Sequence, residues 1–327
     1  MPKGLVNQML GRLVNQMLES KMIFLTLLHI RGIGRKSLTD ISKERLCLVQ
    51  NLKSLYELYQ ELRDNNTRIE AINLSELECY FKIAEKIIKA HAQAGITIID
   101  RFDEEYPQNF NLLKSPPVLL YAKGNLSCLH KKCVAIIGTR HISPQGQEMA
   151  ALAGKVAANK DFAVVSGLAI GCDTAAHKAC LDNKGLTVAI LGNGLDTIYP
   201  AANKGLAERI LASEGCLLSE FPMGVKATAY NLVDRDRLQA ALSYGTIVIE
   251  AGIKSGTMNA VQETMREHKP LAFFEYDEEH YRKHTDSSAN KEYLSQEKAV
   301  ALNDSDSIEY FLARCQTLPG AIEQSLF

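Results

Sequence analysis

Apolar residues between about positions 21 and 95 recur every three or four residues: Ile23, Leu27 and Ile30, then Leu52, Leu55, Leu58 and Leu62, then Ile83, Ile87 and Ile88. That spacing gathers them on one face of successive helices. Further on, the pattern changes to short continuous apolar runs of strand length. They fall at 134–138, 163–167, 187–191, 216–219, 246–250 and 270–274, with helical patterns at 145–159, 174–182, 204–213, 236–243 and 257–267. Two more strand-like runs, 96–99 and 118–122, flank a stretch broken by Tyr106-Pro107 and Pro116-Pro117. Strands apolar on both faces, alternating with helices, predict a doubly wound, mostly parallel α/β sheet of Rossmann type covered on both sides. A small helical N-terminal domain precedes it.

In such sheets ligands bind at the carboxyl ends of the strands, and these ends share one chemistry. The first strand ends in Gly138, Thr139 and Arg140; the second in Ser166 and Gly167, followed by Gly171 and Asp173. The third leads to Asn203 and Lys204, the fourth through a long loop to Arg235 and Arg237, and the fifth to Ser255, Gly256 and Thr257. Backbone amides at glycine turns, hydroxyls and guanidinium groups together suit several phosphates. Plainer roles stand beside these. Arg140 has the alternative of pairing with a carboxylate at the sheet edge. Asp173 reads first as a cap of the helix that follows it, and His177, four residues on, as a packed or loop-bonded side chain before an Asp–His relay. Cys172 at a helix start has no paired base, which argues against a nucleophile.

Composition narrows the ligand. The chain has 327 residues, 46% hydrophobic, with a formal net charge of -1; a mean hydropathy of -0.10 and a pI near 6.7 fit a globular protein that is not basic overall. A nucleic-acid site must then be a local patch. The eight cysteines include no C-x-x-C pair, which predicts reduced thiols in a cytoplasmic protein. Cys128, His130 and Cys133 lack a second half-site, so no metal or cofactor is expected. The apolar run at 22–28 is too short to span a membrane and lacks a small-residue cleavage site. The octad starting at Leu5 recurs once at Leu13, too few copies for a solenoid; residues 1–20 read as an extension. Gly32-Ile33-Gly34, followed by Arg35 and Lys36, joins two helices, either as a plain tight turn or as a turn exposing amides to a DNA phosphate.

Read together, the ordered motifs resemble the DprA/Smf family of DNA-processing proteins. They are Gly138-Thr-Arg140; Ser166-Gly-Leu-Ala169 with Gly171, Asp173 and His177; Gly192 to Asp196 with Tyr199-Pro200 and Asn203; Ser219-Glu-Phe-Pro222; Arg235-x-Arg237; and Glu250-Ala251 with Ser255-Gly256. The resemblance extends over about residues 21–312. It implies an extended Rossmann-like domain at 96–312 that dimerises, a helical SAM or helix-hairpin-like domain at 21–95, and a tail at 313–327 without the family's frequent winged helix. It further implies a non-catalytic protein that binds single-stranded DNA and helps load a RecA-type recombinase in transformation or recombination. Arg140, Lys204 and the Arg235–Arg237 segment would contact phosphates. The chain departs from the pattern at Ile170, where a basic residue is usual, and at Leu232, Asp234 and Asp236. A carboxylate beside a phosphate costs on the order of a kilocalorie at an effective dielectric near 20, and an aromatic lost at 232 forfeits about 1–3 kcal/mol per stacked base. Two other classes remain. One is a nucleotide-binding or nucleotide-hydrolysing sensor: Ser255-Gly-Thr257 with Glu263 is similar to lysine decarboxylase-like proteins, though the spacing differs. The other is a docking module without DNA binding.

Overall fold

The computed structural model describes residues 19–316; the repeated octad and most of the C-terminal tail lie outside them. The chain folds into two compact units, one running to Tyr106 and taking in Ser115–Leu120, the other formed by Pro107–Lys114 and the chain from Tyr121 onward.

The first unit is helical, as the three-to-four spacing predicts. It holds α1 (Ser20–Leu28), α2 (Arg35–Thr39), α3 (Lys43–Cys47), α4 (Leu52–Asn65) and α5 (Leu74–Gln93), followed by β1 (Thr97–Asp100). Asn51 with Ser54, and Asn73 with Glu76, form capping boxes that start α4 and α5 by satisfying their first free amides. Ile23, Phe24, Leu27, Leu38, Leu55 and Leu77 are buried within this unit. The turn at 32–34 lies against the segment near Arg68, where Glu70 N donates to Arg31 O at 2.9 Å.

Strand β2 (Leu119–Gly124) belongs to the second unit from Tyr121 onward, and that unit continues with β3 (Cys133–Ile137), α6 (Pro144–Asn159), β4 (Ala163–Ser166), α7 (Cys172–Asp182), β5 (Thr187–Leu191), α8 (Lys204–Ala212) and β6 (Cys216–Ser219). Next come α9 (Ala229–Leu242), β7 (Thr246–Val248), α10 (Thr257–Arg266), β8 (Leu271–Phe274), α11 (Glu278–Lys283), α12 (Ser288–Ser295), β9 (Val300–Leu302) and α13 (Ser305–Arg314). The strands lie in the order β2-β6-β5-β4-β3-β7-β8-β9. Every pair from β6 to β9 is parallel, and only β2 joins antiparallel. This is the extended, doubly wound Rossmann-like sheet that the apolar runs predict. Residue alternation sorts the core into two layers. Val134, Ile136, Val164 and Ile247 pack with Ala150, Ala153, Ala176 and Phe311 on one face. Ala135, Ile137 and Val248 pack with Ala240, Met258, Val261 and Ala289 on the other.

The chain winds outward from β3 through β4, β5 and β6, then returns to place β7 on the other side of β3. The strand order therefore reverses between β3 and β7, and a crevice opens at their carboxyl ends. One element differs from the sequence expectation. Helix α9 begins at Ala229, not at 236, because the Thr228 hydroxyl accepts from Asn231 N at 3.1 Å and caps it there. Arg235 and Arg237 are therefore helical residues and not part of a loop.

Candidate functional site

A pocket of about 520 Å³ occupies the crevice. Its walls come from the turn after β3 (Gly138, Thr139, Arg140), the start and middle of α9, and the segment at 255–257 that opens α10. The backbone of the β3 turn is fixed on two sides. Thr139 N donates to Glu250 O at 2.7 Å, and Cys172 N donates to Thr139 O at 3.2 Å. Gly171, at φ +82°, allows this approach: a Cβ there would sit 2.5 Å from Thr139 O. The Thr139 hydroxyl donates to Asp286 Oδ2 at 2.8 Å and accepts from His141 N.

The Arg140 side chain is exposed and has no hydrogen bond or ion pair among the described residues. It borders the main pocket and two smaller recesses. One of these, about 260 Å³, also carries His141, Gly171, Thr174 and Lys178. The other, about 70 Å³, carries Ile170, Tyr199, Pro200 and Leu232.

The second guanidinium of the pocket is interior. Arg235 is 4% exposed; its Nη1 donates to Ile190 O at 2.7 Å and its Nε lies 3.0 Å from Asp236 Oδ1. It occupies the space that a side chain at Gly167 would fill, since a Cβ there would lie 1.5 Å from Nη1. Asp173, also buried, accepts from Gly167 N at 3.1 Å and Ala169 N at 3.2 Å. Burial raises the Asp173 carboxyl above its ordinary value, opposed by Arg235 and these amides. Burial likewise pushes Asp236 up to about 7; Arg235 and Arg140 pull it down while Asp173 adds to the rise. Gln239 Nε2 donates to Asp236 Oδ1 at 2.9 Å. The Gln239 Oε1 and Ser255 Oγ atoms on the pocket wall are buried without a partner among the described residues. Such orphaned polar atoms mark places where a ligand or water completes the hydrogen bonding.

The candidate residues thus separate into groups. Gly138, Thr139, Arg140, Arg235, Ser255, Gly256 and Thr257 line the pocket. Ser166 lies beneath, its hydroxyl donating to Ile136 O at 2.7 Å, and Gly167 beside it makes room for Arg235. Gly171 faces the second recess. Asn203 braces the loops from below, donating to Leu168 O and to Thr174 Oγ1, both at 2.8 Å. Lys204, exposed at the start of α8, lines none of these cavities. Arg237 turns away from the pocket into ion pairs with Glu220 and Asp234. Asp234 is accordingly absent from the wall, whereas Asp236 stands in it.

His177 and Cys172 fall into their plainer roles. His177 Nδ1 lies 2.6 Å from Thr187 Oγ1, which itself donates to Val164 O; the imidazole therefore donates, and it forms no pair with Asp173. Burial, with Arg235 adding, holds its pKa down to about 3. Burial also keeps the Cys172 thiol well above its ordinary value, and the charges of Asp173 and Glu250 add to this. Glu263 pairs with Arg266 and is not on the pocket wall.

Two features escape a reading of the sequence, and a third, Tyr199, is named there only as part of a motif. Asp286 reaches the Thr139 hydroxyl across 147 positions of chain, with no local signal to announce it. Gln239 lies four residues beyond Arg235 on α9, a neighbourhood visible only once the helix is started at 229. Tyr199, 47% exposed, stands on the rim opposite Leu232 and places an aromatic ring in the site from another loop.

With this geometry in hand, comparison with known proteins is specific. Residues 83–313 match the family model described as DNA recombination-mediator protein A. The chain is 36% identical over 217 residues to Protein Smf of Synechocystis sp., which is 61% of this chain and 54% of that relative. The match thus spans about half the length of that curated relative. The structure is similar to the X-ray structure of DNA processing protein A (DprA) from Streptococcus pneumoniae, with a TM-score of 0.72 and 26% identity, covering 90% of this chain and 98% of that one. It is also similar to DNA processing protein A from Helicobacter pylori, a structure described for its single-stranded DNA binding mode. There the TM-score is 0.59 and the identity 28%, over 67% of this chain and 96% of that one.

Proposed function

This chain belongs to the DNA recombination-mediator protein A family, and from that premise we propose that it binds single-stranded DNA at the crevice between β3 and β7. The observation that carries the proposal is Arg140: an exposed guanidinium, without a partner among the described residues, on a turn whose backbone is fixed and at the meeting point of three recesses. A phosphate is the ligand that such a group meets best, because a guanidinium offers paired donors as well as charge. The likeness to the Helicobacter pylori protein supports a single strand as the source of that phosphate. The finer role is that of a non-enzymatic protector of the strand, which as a homodimer hands it to a RecA-type recombinase in the cytoplasm. Among the described residues no helix is long and apolar enough to cross a membrane.

The residue roles follow from position. Arg140, Ser255 and Thr257 contact phosphate or sugar, the Gly138 and Gly256 backbones approach it, and Arg235 acts from below as a fixed counter-charge to Asp173 and Asp236. Fluorescence anisotropy of a labelled oligo-dT across a salt series tests this reading. Binding should weaken with salt, and Arg140→Ala should reduce the log–log slope by about 0.7, the value for one phosphate contact on a single strand. Absence of binding at about 50 mM salt would refute it.

A second reading draws on a specific observation. Asp173, Asp236 and Asp286 put three carboxylates on the main pocket wall, and these suit donors on a base or ribose better than they suit a run of phosphates. A mononucleotide as the ligand, in a sensor on the same scaffold, would show as a rise in melting temperature with added nucleotide.

A further inference from the structure

We infer that Glu250 is the positioning residue of the loop that carries Arg140, with His280 holding its carboxylate in place; this rests on the single-strand reading above. Residues 139–143 form an arc whose two ends close on this one residue. At the first end Thr139 N donates to the Glu250 carbonyl at 2.7 Å. At the other, Ser143 N donates to Glu250 Oε2 at 2.9 Å and the Ser143 hydroxyl donates to Oε1. Neither Glu250, Ser143 nor His280 lines any of the three cavities, so they act on a ligand only through the loop.

The carboxylate is built into its place. Glu250 is 1% exposed and sits at the N-terminus of α6, where the helix dipole favours a negative charge. Gly146 leaves it room, since a Cβ there would lie 2.6 Å from Glu250 Cδ. His280, also buried, closes the third side with Nε2 2.9 Å from Glu250 Oε1. Its ring is fixed in turn: it stacks on Tyr276 with centroids 4.0 Å apart, and its Nδ1 lies 3.1 Å from Gln145 Oε1. The Tyr276 hydroxyl donates to Ile249 O at 3.1 Å, so the ring that supports His280 also holds the backbone just before Glu250. Starting α6 does not require this carboxylate, because the Ser143 hydroxyl already accepts from Gly146 N at 2.9 Å as its cap. What the carboxylate adds is a tie between the start of α6 and the end of β7, and the loop bearing Arg140 spans that tie. A loop fixed at both ends presents its guanidinium without backbone left to order on binding.

Gly146→Ala separates this role from a purely structural one. Alanine is the better helix former and position 146 borders no cavity, yet the added methyl must push the carboxylate aside. Two readouts apply: anisotropy of labelled oligo-dT, and hydrogen–deuterium exchange of residues 139–143 followed by mass spectrometry. Gly146→Ala and Glu250→Ala should each raise exchange in that segment and weaken oligo-dT binding roughly 5- to 30-fold, the cost of fixing one residue of backbone anew. The salt slope should stay that of wild type, because Arg140 is still present. Adding Gly146→Ala to Glu250→Ala should weaken binding no further, since no carboxylate remains to be displaced. Glu250→Gln, which keeps an oxygen for Ser143 N, should return most of the affinity lost in Glu250→Ala. Suppose wild type binds oligo-dT and both alanine variants bind equally well, or bind weakly with no rise in exchange at 139–143. The positioning role is then wrong and the single-strand reading stands. If wild type does not bind oligo-dT, both are overturned.

Discussion

Alanine at position 167 probes how the pocket is built. A methyl there would lie 1.5 Å from Arg235 Nη1 and 2.2 Å from its Cζ, so the guanidinium must leave its position. The Gly167 backbone is not in the left-handed region, which means the cost comes from this displacement and not from φ. Arg235 loses its 2.7 Å bond to Ile190 O and its 3.0 Å contact with Asp236. A hydrogen bond from a charged group contributes about 1.5–3 kcal/mol, and breaking a buried ion pair costs roughly 3–5 kcal/mol. Asp236 keeps 16% of its side chain in solvent and readily takes up a proton, so the lower end applies, about 3 kcal/mol. Urea unfolding followed by far-ultraviolet circular dichroism should show the midpoint falling by about 1 M if m is near 3 kcal/mol per molar. The same substitution in an Arg235→Met background should cost less than about 1 kcal/mol, a coupling of roughly 2 kcal/mol between neighbours. Equal costs in the two backgrounds would refute the argument and return Gly167 to the anion-binding turn that the sequence suggests.

Other consequences are open to direct measurement. The Asp236 carboxyl is raised in the fold from an ordinary 3.8 to about 7, so between these values the folded state keeps a proton that the unfolded state has lost. Its contribution to stability therefore declines as pH rises from about 4 to about 7; melting curves across that range should flatten in Asp236→Asn, and the decline of oligo-dT affinity as pH rises through about 7 should disappear with it. Arg237→Ala, which removes a guanidinium already committed to Glu220 and Asp234, should leave the salt slope of DNA binding within about 0.2 of wild type, unlike Arg140→Ala. Cys47 and Cys79 are exposed while the other six cysteines are buried, so a thiol reagent should titrate two groups rapidly in the native protein and the rest only after unfolding.

The parallel sheet was legible because its strands are unbroken apolar runs, and β5 and β6 carry the predicted bounds unchanged. The turn at 138–140 was legible for the same reason, since a glycine ending such a run locates the crevice. Helix α9 was not. Its first turns contain Tyr230, Asn231, Asp234 and Arg235, a polar stretch with no apolar stripe, because Arg235 turns its charge inward while Tyr230 stays in water. Propensity and periodicity both read such a segment as loop; only the Thr228 cap signalled a start. With α9 misplaced, Arg235 and Arg237 looked like equivalent phosphate ligands. Two positions of helix turn them in different directions, one into the pocket floor and one to Glu220. Asp286 was beyond reach for another reason, as its contact with Thr139 is made entirely by tertiary packing.

The β3 turn is held rigidly at its backbone, whereas the Arg140 side chain that grows from it has no partner among the described residues. A ligand that engages this exposed side chain fixes its rotamers, at a cost of up to about 2 kcal/mol in side-chain freedom. If the ligand is the proposed single strand, its affinity would then depend on how many such contacts act at once.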